Sequence, residues 1–274
     1  MDIKAFKMDG LGNDFVIIDQ RVNSINLSKD QIIKICDRNY IGCDQLILIK
    51  KNRKIDAGLE FYNSDSTVSG ACGNGTRCVA DFLAKESDKK EIILWTSGGI
   101  LKSKILGNNL VETEIGAAKT NWNEIPLSKN LNTKNLKIKI LDKNNKELIG
   151  GTAVNVGNPH VIFFVDEIEN FDIGKIGPQI ENLKIFPEKC NVTIAKVVNK
   201  NLIKIKVWER GAGLTKACGT AACATAFAGK LNNFTDNNTD IEFESGKLSI
   251  FIDEKNSIHM KGPVSDIKKI SIKL

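Results

Sequence analysis

Residues 71–84, ACGNGTRCVADFLA, place a cysteine directly before a glycine-rich turn that runs into an apolar helical stretch, and residues 217–229, ACGTAACATAFAG, repeat the arrangement. The two cysteines, Cys72 and Cys218, are 218 − 72 = 146 residues apart. The same offset recurs upstream. LEFYN ends at Asn63 and IKVWE at Glu209, each nine residues before its cysteine. DQLILIK with Gln45 matches CNVTIAK with Asn191 at 146, and GNDFVIID with Asn13 matches GNPHVIFFVD with Asn158 at 145. Four landmarks in one order predict a duplicated unit. Each copy has a Gly-Asn turn into a strand, a strand opened by an amide, a strand ending in a polar residue, and a Cys-Gly turn into a helix.

The rest of the chain fits that reading. SKDQIIKICDRN has a Ser-x-x-Gln start that predicts a helix from about Lys29. EIILWTS, ILKSKIL, LVETEIG, IEFES, KLSIFID, SIHMKG and ISIKL read as strands separated by turns. Residues 119–135 are polar, aperiodic and contain Pro126, the pattern of a linker between halves. Mostly antiparallel strands with one prominent helix per half give an α+β class.

Composition bounds the function. The 274 residues, 42% hydrophobic and 26% charged, can build two cores. No apolar run reaches membrane-spanning length, and the start MDIKAFKMDGLGNDF breaks any signal-peptide core, so a cytoplasmic protein is expected. The net charge of +6 is spread among acidic residues without a basic, aromatic-interleaved stripe, which argues against a nucleic-acid partner. Seven cysteines with no CxxC predict free thiols and no metal site. Cys78 and Cys223 lie deeper in the helical runs and read as core, and Trp95, Trp122 and Trp208 read as packing residues. Cys36, Cys43 and Cys190 have no partner motif.

A helix N-terminus exposes unpaired N–H groups and about half a positive charge, so a cysteine there is expected to be more acidic than a free thiol. Gly73 and Gly219 leave room for a carboxylate to reach the same N–H groups. Inverting a stereocentre needs a base on one face and an acid on the other. One thiolate and one thiol, brought face to face by the duplication, supply that pair and exchange roles in the reverse direction. No lysine stands out in these motifs for an aldehyde cofactor, so no cofactor is expected. Arg210, in the turn ERGAG, suits a bidentate clamp on a second carboxylate.

MDGLGNDF, CDQL, YNSD…CGNGTRC, VNVGNPHV, FPEKCNV, WERGAG and ACGTAAC together resemble the diaminopimelate epimerases along nearly the whole chain. The resemblance implies a cofactor-independent enzyme that converts LL-2,6-diaminoheptanedioate to the meso form on the route to lysine and peptidoglycan. It implies two pseudo-symmetric domains, each a largely antiparallel, barrel-like sheet around a central helix, with the last strand returning to the first domain. The expected domains are 1–118 plus 263–274, carrying Cys72, and 119–262, carrying Cys218. By motif, Cys72 and Cys218 are the acid–base pair. Gly73, Asn74, Gly219 and Thr220 offer donors to the reacting carboxylate, and Asn13, Gln45, Asn63, Asn158, Asn191, Glu209 and Arg210 hold the substrate. His160 and Glu209 tune or support the thiols; a structural histidine is the alternative for His160. The partners expected are this small molecule and a second copy of the chain.

The chain departs from the family at Ser66 and Ala221, where glycine is common, and at Val68 and Leu214, where acidic residues are. Ser66 is expected to restrict its loop and Ala221 to narrow the second turn by one methyl. Two other readings of the residues stay open. One is the same chemistry on proline or hydroxyproline; the other is a redox-responsive binding protein whose thiols join Cys72 to Cys218.

Overall fold

The computed structural model describes residues 2–70, 72–142 and 146–274. The first part of the chain forms β1 (Asp2–Gly10), β2 (Asn13–Gln20), α1 (Lys29–Cys36), β3 (Gln45–Lys50), β4 (Ala57–Asn63), β5 (Val68–Ser69), α2 (Gly73–Ser87), β6 (Glu91–Thr96), β7 (Gly99–Gly107) and β8 (Leu110–Ala117). A hairpin of β9 (Ile138–Leu141) and β10 (Glu147–Gly150) follows, then β11 (Thr152–Asn155), β12 (Pro159–Phe164), α3 (Ile173–Glu181), β13 (Asn191–Asn199), β14 (Leu202–Glu209) and β15 (Gly213–Thr215). The chain ends with α4 (Gly219–Leu231), β16 (Asn238–Phe243), β17 (Gly246–Ile252), β18 (Ser257–Pro263) and β19 (Lys268–Lys273). Its contacts form two compact units, Met1–Glu114 with Lys261–Leu274, and Ile115–Met260.

The two units share one topology. In the first, β1 is antiparallel to β2, β2 parallel to β3, β3 antiparallel to β4, β4 antiparallel to β5 and parallel to β6, and β6 antiparallel to β7. In the second, β11, β12, β13, β14, β15, β16 and β17 repeat those pairings and senses one for one. The registers carry over too. Leu46 opposite Tyr62 becomes Val192 opposite Trp208, and Tyr62 opposite Val68 becomes Trp208 opposite Leu214, each shifted by 146. Because a one-residue slip would turn every side chain to the other face, an intact register keeps the same positions pointing inward in both copies. The first unit adds β8 on β7, and β19 lies antiparallel on β1.

The apolar runs of β2 and β3 use both faces, as strands covered on two sides must. Phe15, Ile17, Ile47 and Ile49 pack with α2, while Val16, Ile18, Leu46 and Leu48 pack with Ile32, Ile35 and Cys36 of α1. Helix α2 is buried continuously from Gly73 to Ala84 and touches β1, β2, β6 and β7. Helix α4 is buried from Ala221 to Gly229 and touches β11, β12, β13, β16 and β17. A helix buried on all sides requires a sheet that curls around it, and each unit supplies one. The expected capping box is present on α1: Ser28 Oγ accepts from Gln31 N, and Gln31 Oε1 accepts from Ser28 N.

Three expectations need correction. The second unit has a further α-helix, α3, the counterpart of the α1 that the sequence predicts in the first. In α3, Gly174, Gly177 and Pro178 read as turn residues, but burial of Ile173, Ile176 and Ile180 along one face drives the helix. Residues 119–135 are no loose linker, because Ile125 and Leu127 sit in the second core and Lys119 bridges to Asn155. Trp122 and Trp208 pack against that core, whereas Trp95 is 45% exposed. Among the described residues no helix is long and apolar enough to cross a membrane.

Candidate active site

Both cysteines occupy the same structural position. Cys72 precedes α2 with φ −139° and ψ 111°, and Cys218 precedes α4 with φ −137° and ψ 116°. The first helical hydrogen bonds run from Thr76 N to Cys72 O and from Ala222 N to Cys218 O. The helical ladder therefore leaves out the N–H groups of residues 73–75 and 219–221, the donors an anion would use. Gly75 N donates to Cys72 Sγ at 3.5 Å.

Gly75 is fixed by close approach. A Cβ there would lie 2.7 Å from Ile47, 3.0 Å from Phe61 and 3.2 Å from Phe15. One repeat later those shell positions are Thr193, Val207 and His160. Two of the three are smaller and the third is a compact ring, so the methyl of Ala221 fits where Gly75 must have none. Its arrival is matched by its surroundings and is no isolated narrowing of the turn.

In the first unit a chain of amides ends on charges, which fixes the orientation of each amide. Arg77 is fully buried and donates from Nη2 to Asn74 Oδ1 at 2.9 Å. Asn74 Nδ2 then donates to Asn13 Oδ1 at 3.4 Å, and Asn13 Nδ2 donates to Asp44 Oδ2 at 2.9 Å. Arginine can only donate and a carboxylate can only accept, so neither amide can flip without losing a bond. Asn13 Oδ1 thereby points to Cys72 Sγ, 3.8 Å away. Asp44 is anchored in turn by Arg38, which also grips Asp14 with two bonds of 2.7 and 2.8 Å and holds the Asp14 carboxyl below its usual range.

A second chain begins at Gln45, whose Nε2 donates to Asn63 Oδ1 at 2.8 Å. Asn63 Nδ2 donates to Thr67 Oγ1, which donates to Asp65. The five-residue loop thus holds the Asn63 amide through a carboxylate at its tip. Ser66, at the glycine-like position, adopts φ +68°.

In the second unit the partners change character. His160 is fully buried; removal from water, then the charge of Arg210, lower its pKa to about 3. The neutral ring places Nε2 2.9 Å from Asn158 Oδ1 and 3.5 Å from Asn191 Nδ2, the shorter contact suiting a proton on Nε2, and Nδ1 has no hydrogen-bond partner among the described residues. Asn158 Nδ2 donates to Thr220 Oγ1 at 3.5 Å, so the Thr220 hydroxyl proton is directed to Cys218 Sγ at 3.4 Å. Asn13 with Asn74, and Asn158 with Thr220, are therefore the same contact in two copies.

Cys218 is 5% exposed, and burial pushes its thiol well up, reinforced by the charge of Glu209 and a hydrogen bond to it; the Thr220 hydroxyl pulls the other way. The helix-start argument predicted a more acidic thiol. At Cys218 desolvation and a neighbouring carboxylate outweigh the helix, because a buried thiolate beside an anion is disfavoured twice.

Asn191 is buried, donates from Nδ2 to Pro159 O at 2.9 Å and accepts from Arg210 N at 3.0 Å. The Arg210 side chain donates to Glu188 O at 2.9 Å. The turn after β14 is held by Glu181 of α3, which accepts from Gly211 N and from Trp208 Nε1.

The residues singled out in sequence thus fall into two groups. Asn13, Gln45, Asn63, Gly73 and Asn74 belong to the unit of Cys72, whose sulfur reaches Asn13, while Gln45 and Asn63 hold each other. Asn158, His160, Asn191, Glu209, Arg210, Gly219 and Thr220 belong to the unit of Cys218, whose sulfur reaches Thr220 and Glu209, while the Arg210 side chain is turned to Glu188 O. Their anchors were missed. Asp44 and Arg77 sit inside the quoted motifs and Thr67 two residues beyond YNSD, so adjacency could have flagged them; Glu181 lies on the unforeseen helix and had no signal. Cys78, Cys190 and Cys223 are buried, as core cysteines are.

The family model described as diaminopimelate epimerase matches residues 5–121 and 152–267. The chain is 74% identical, over the full length of both proteins, to the diaminopimelate epimerase of Pelagibacter ubique. Its fold is similar to that of a phenazine biosynthesis protein of the PhzF family from Bacillus anthracis, with TM-score 0.69 and 14% identity over 100% of both chains. A hydroxyproline epimerase from Agrobacterium vitis has TM-score 0.68 at 11% identity, covering 99% of this chain and 93% of its own. At such identities the two structures share the fold alone, whereas the family match and the full-length relative carry more: the chain belongs to the diaminopimelate epimerase family.

Proposed function

We propose that this chain interconverts LL- and meso-2,6-diaminoheptanedioate by moving a proton between one α-carbon and two cysteines, Cys72 and Cys218, without a cofactor. The observation that carries the reading is the cysteine turn itself, present twice at one register of one topology in a chain of this family. The α-carboxylate of the substrate binds the first-turn N–H groups of Gly73, Asn74, Gly219 and Thr220. Withdrawal of the α-proton spreads charge onto that carboxylate. One well-aimed donor is worth about 2.7–4 kcal/mol, so several supply a large part of the roughly 8–23 kcal/mol that enzymes take off a barrier.

Burial and Glu209 favour the protonated state of Cys218, which makes it the resting acid. Cys72, more exposed and with the Gly75 N–H on its sulfur, is the resting base. Asn13 and Thr220 orient the two sulfurs and exchange hydrogen bonds as the proton moves. The remaining polar groups, Gln45, Asn63, Asn158, Asn191, Glu209 and Arg210, recognise the ammonium groups and the distal carboxylate, with Arg210 as the clamp. Domains 1–118 with 263–274 and 119–262 each supply one cysteine, and the enzyme works in the cytoplasm as a homodimer.

Purified protein given LL-diaminoheptanedioate in heavy water, with no cofactor added, should form meso product carrying deuterium at one α-position. Replacing either cysteine by serine should lower the exchange by about 10²–10⁴-fold, the usual weight of a general acid or base. Exchange into hydroxyproline but not into the diacid would overturn the substrate, and a serine variant with undiminished exchange would remove that cysteine from the pair.

A further inference from the structure

We infer that Cys36 and Cys43 form an oxidisable dithiol, a modification site separate from the Cys72 and Cys218 pair, which a hydroperoxide converts to an intramolecular disulfide. The proposal starts from geometry. Their sulfurs lie 3.5 Å apart, both side chains are buried, and both belong to the core cluster between α1 and the sheet. That cluster holds Val16, Ile18, Leu46 and Leu48, the face of β2 and β3 turned away from α2, so the dithiol and Cys72 are on opposite faces of the same sheet.

The backbone keeps the two sulfurs paired. Cys43 N donates to Cys36 O at 3.2 Å, and Gly42 N donates to Ile35 O at 3.1 Å, so the end of α1 is clipped to residues 42 and 43. The clip depends on Gly42, which has φ +74° and passes so close to Arg38 that a Cβ would meet the Arg38 Cα at 3.0 Å. With both main chains fixed, side-chain rotation is the movement left to bring the sulfurs from contact to the bonded distance of about 2.05 Å.

The two thiols are unequal in the way an attacking and a resolving cysteine are. The hydrogen bond from Cys43, and then the positive charge of Arg38, lower the Cys36 pKa, while the same interaction and burial raise that of Cys43. Cys36 attacks the peroxide as thiolate, its O–O bond breaks, and Cys36 becomes a sulfenic acid as hydroxide leaves and takes up a proton to form water. The Cys43 sulfur then displaces the sulfenic oxygen as a second water, forming the S–S bond as its own proton leaves. In sum, two thiols and one hydrogen peroxide give one disulfide and two waters, with two electrons passing from sulfur to oxygen. Access comes through the end of an eight-residue helix followed by Asp37, Arg38, Asn39 and Tyr40, all exposed. Such an edge opens locally far more often than the core unfolds.

Trypsin makes the test direct, because Arg38 lies between the two cysteines. Intact protein is treated with hydrogen peroxide, its remaining thiols are blocked with N-ethylmaleimide, and it is digested without reductant. The expected result is peptide 35–38 joined to peptide 39–50, at their summed mass less two hydrogens, in at least half of the chains and abolished by dithiothreitol. The Cys36→Ala variant should lose the joined species entirely. Recovery of the two peptides unjoined, whether maleimide-blocked or carrying a sulfinic acid, after Cys72 has been consumed would overturn the proposal. So would a link from Cys43 to another cysteine in Cys36→Ala. The reading does not depend on the epimerase reaction, because the readout is the bond itself.

Discussion

Beneath the Cys72 turn, the shell around Gly75 is Phe15, Ile47 and Phe61, and the β-strand leading to the loop ends in the neutral amide of Asn63. At Cys218 the matching positions hold His160, Thr193, Val207 and the carboxylate of Glu209. The two cysteines themselves agree within a few degrees of φ and ψ, so the difference at the helix start is chemical. Duplication supplies two helix starts with the same unpaired N–H groups; substitution around them then sets the affinity of each sulfur for a proton. Burial and one anion suffice to reverse what the helix does.

The largest effect that separates the turns is acid sensitivity placed in the second unit. His160 is held neutral with a pKa of about 3 against 6.5 for a free imidazole. Between those values the unfolded chain binds the proton and the folded chain does not, so stability falls as pH falls from 6.5 toward 3. At about 1.4 kcal/mol per pH unit, the loss from this one group reaches about 3 kcal/mol by pH 4. His160→Gln keeps a donor toward Asn158 but cannot titrate there. Urea unfolding of both proteins between pH 6.5 and 4 should therefore give curves that converge on acidification. Parallel curves would mean that His160 is protonated in the fold, and the contrast between the units would collapse.

Next is the packing beneath the turns. Gly75→Ala pushes a methyl into Ile47, Phe61 and Phe15. Overpacking of this kind costs about 1–3 kcal/mol, less about 1 kcal/mol for the helix preference of alanine, which leaves a net loss of up to about 2 kcal/mol. The reciprocal Ala221→Gly meets no clash and should cost about 1 kcal/mol or less. Chemical denaturation of the two variants checks the pair. Equal losses, or a gain from Gly75→Ala, would show that the two shells do not differ in the room they leave.

How far the sequence alone reached follows from the same contrast. The repeat was readable because strand register and the cysteine turn are local patterns spaced by a fixed number of residues, and Asn13, Gln45, Asn63, Asn158, Asn191 and Glu209 fell on it. The thiol's protonation was misread at Cys218 because burial is a property of the whole surrounding sheet, which no local pattern reports. Helix α3 was hidden by Gly174, Gly177 and Pro178, and with it went Glu181, the residue that steadies the Arg210 turn. Cys36 and Cys43 looked unrelated because a loop of six residues, closed by backbone bonds, brings them together.

The smallest effect lies in the loops before each cysteine, which solve one turn in two ways. Ser66 N donates to Asn63 O at 2.9 Å, and one repeat later Ala212 N donates to Glu209 O at 3.1 Å. In the second loop the left-handed positions are Gly211 and Gly213, with φ of +74° and +87°; in the first, Ser66 itself takes φ +68°. A side chain in that region costs about 1–2 kcal/mol, but glycine returns about 0.4–1 kcal/mol of that through the freedom it gives the unfolded chain. Ser66→Gly should therefore raise stability by about 0.5 kcal/mol, measured as a small rise in the denaturation midpoint at unchanged slope. The bonds from Thr67 to Asp65 and from Asn63 to Thr67 do not involve the Ser66 side chain, so they survive the change. A fall in stability would mean that the serine holds this loop in place and that the two turns reach their common shape by opposed means.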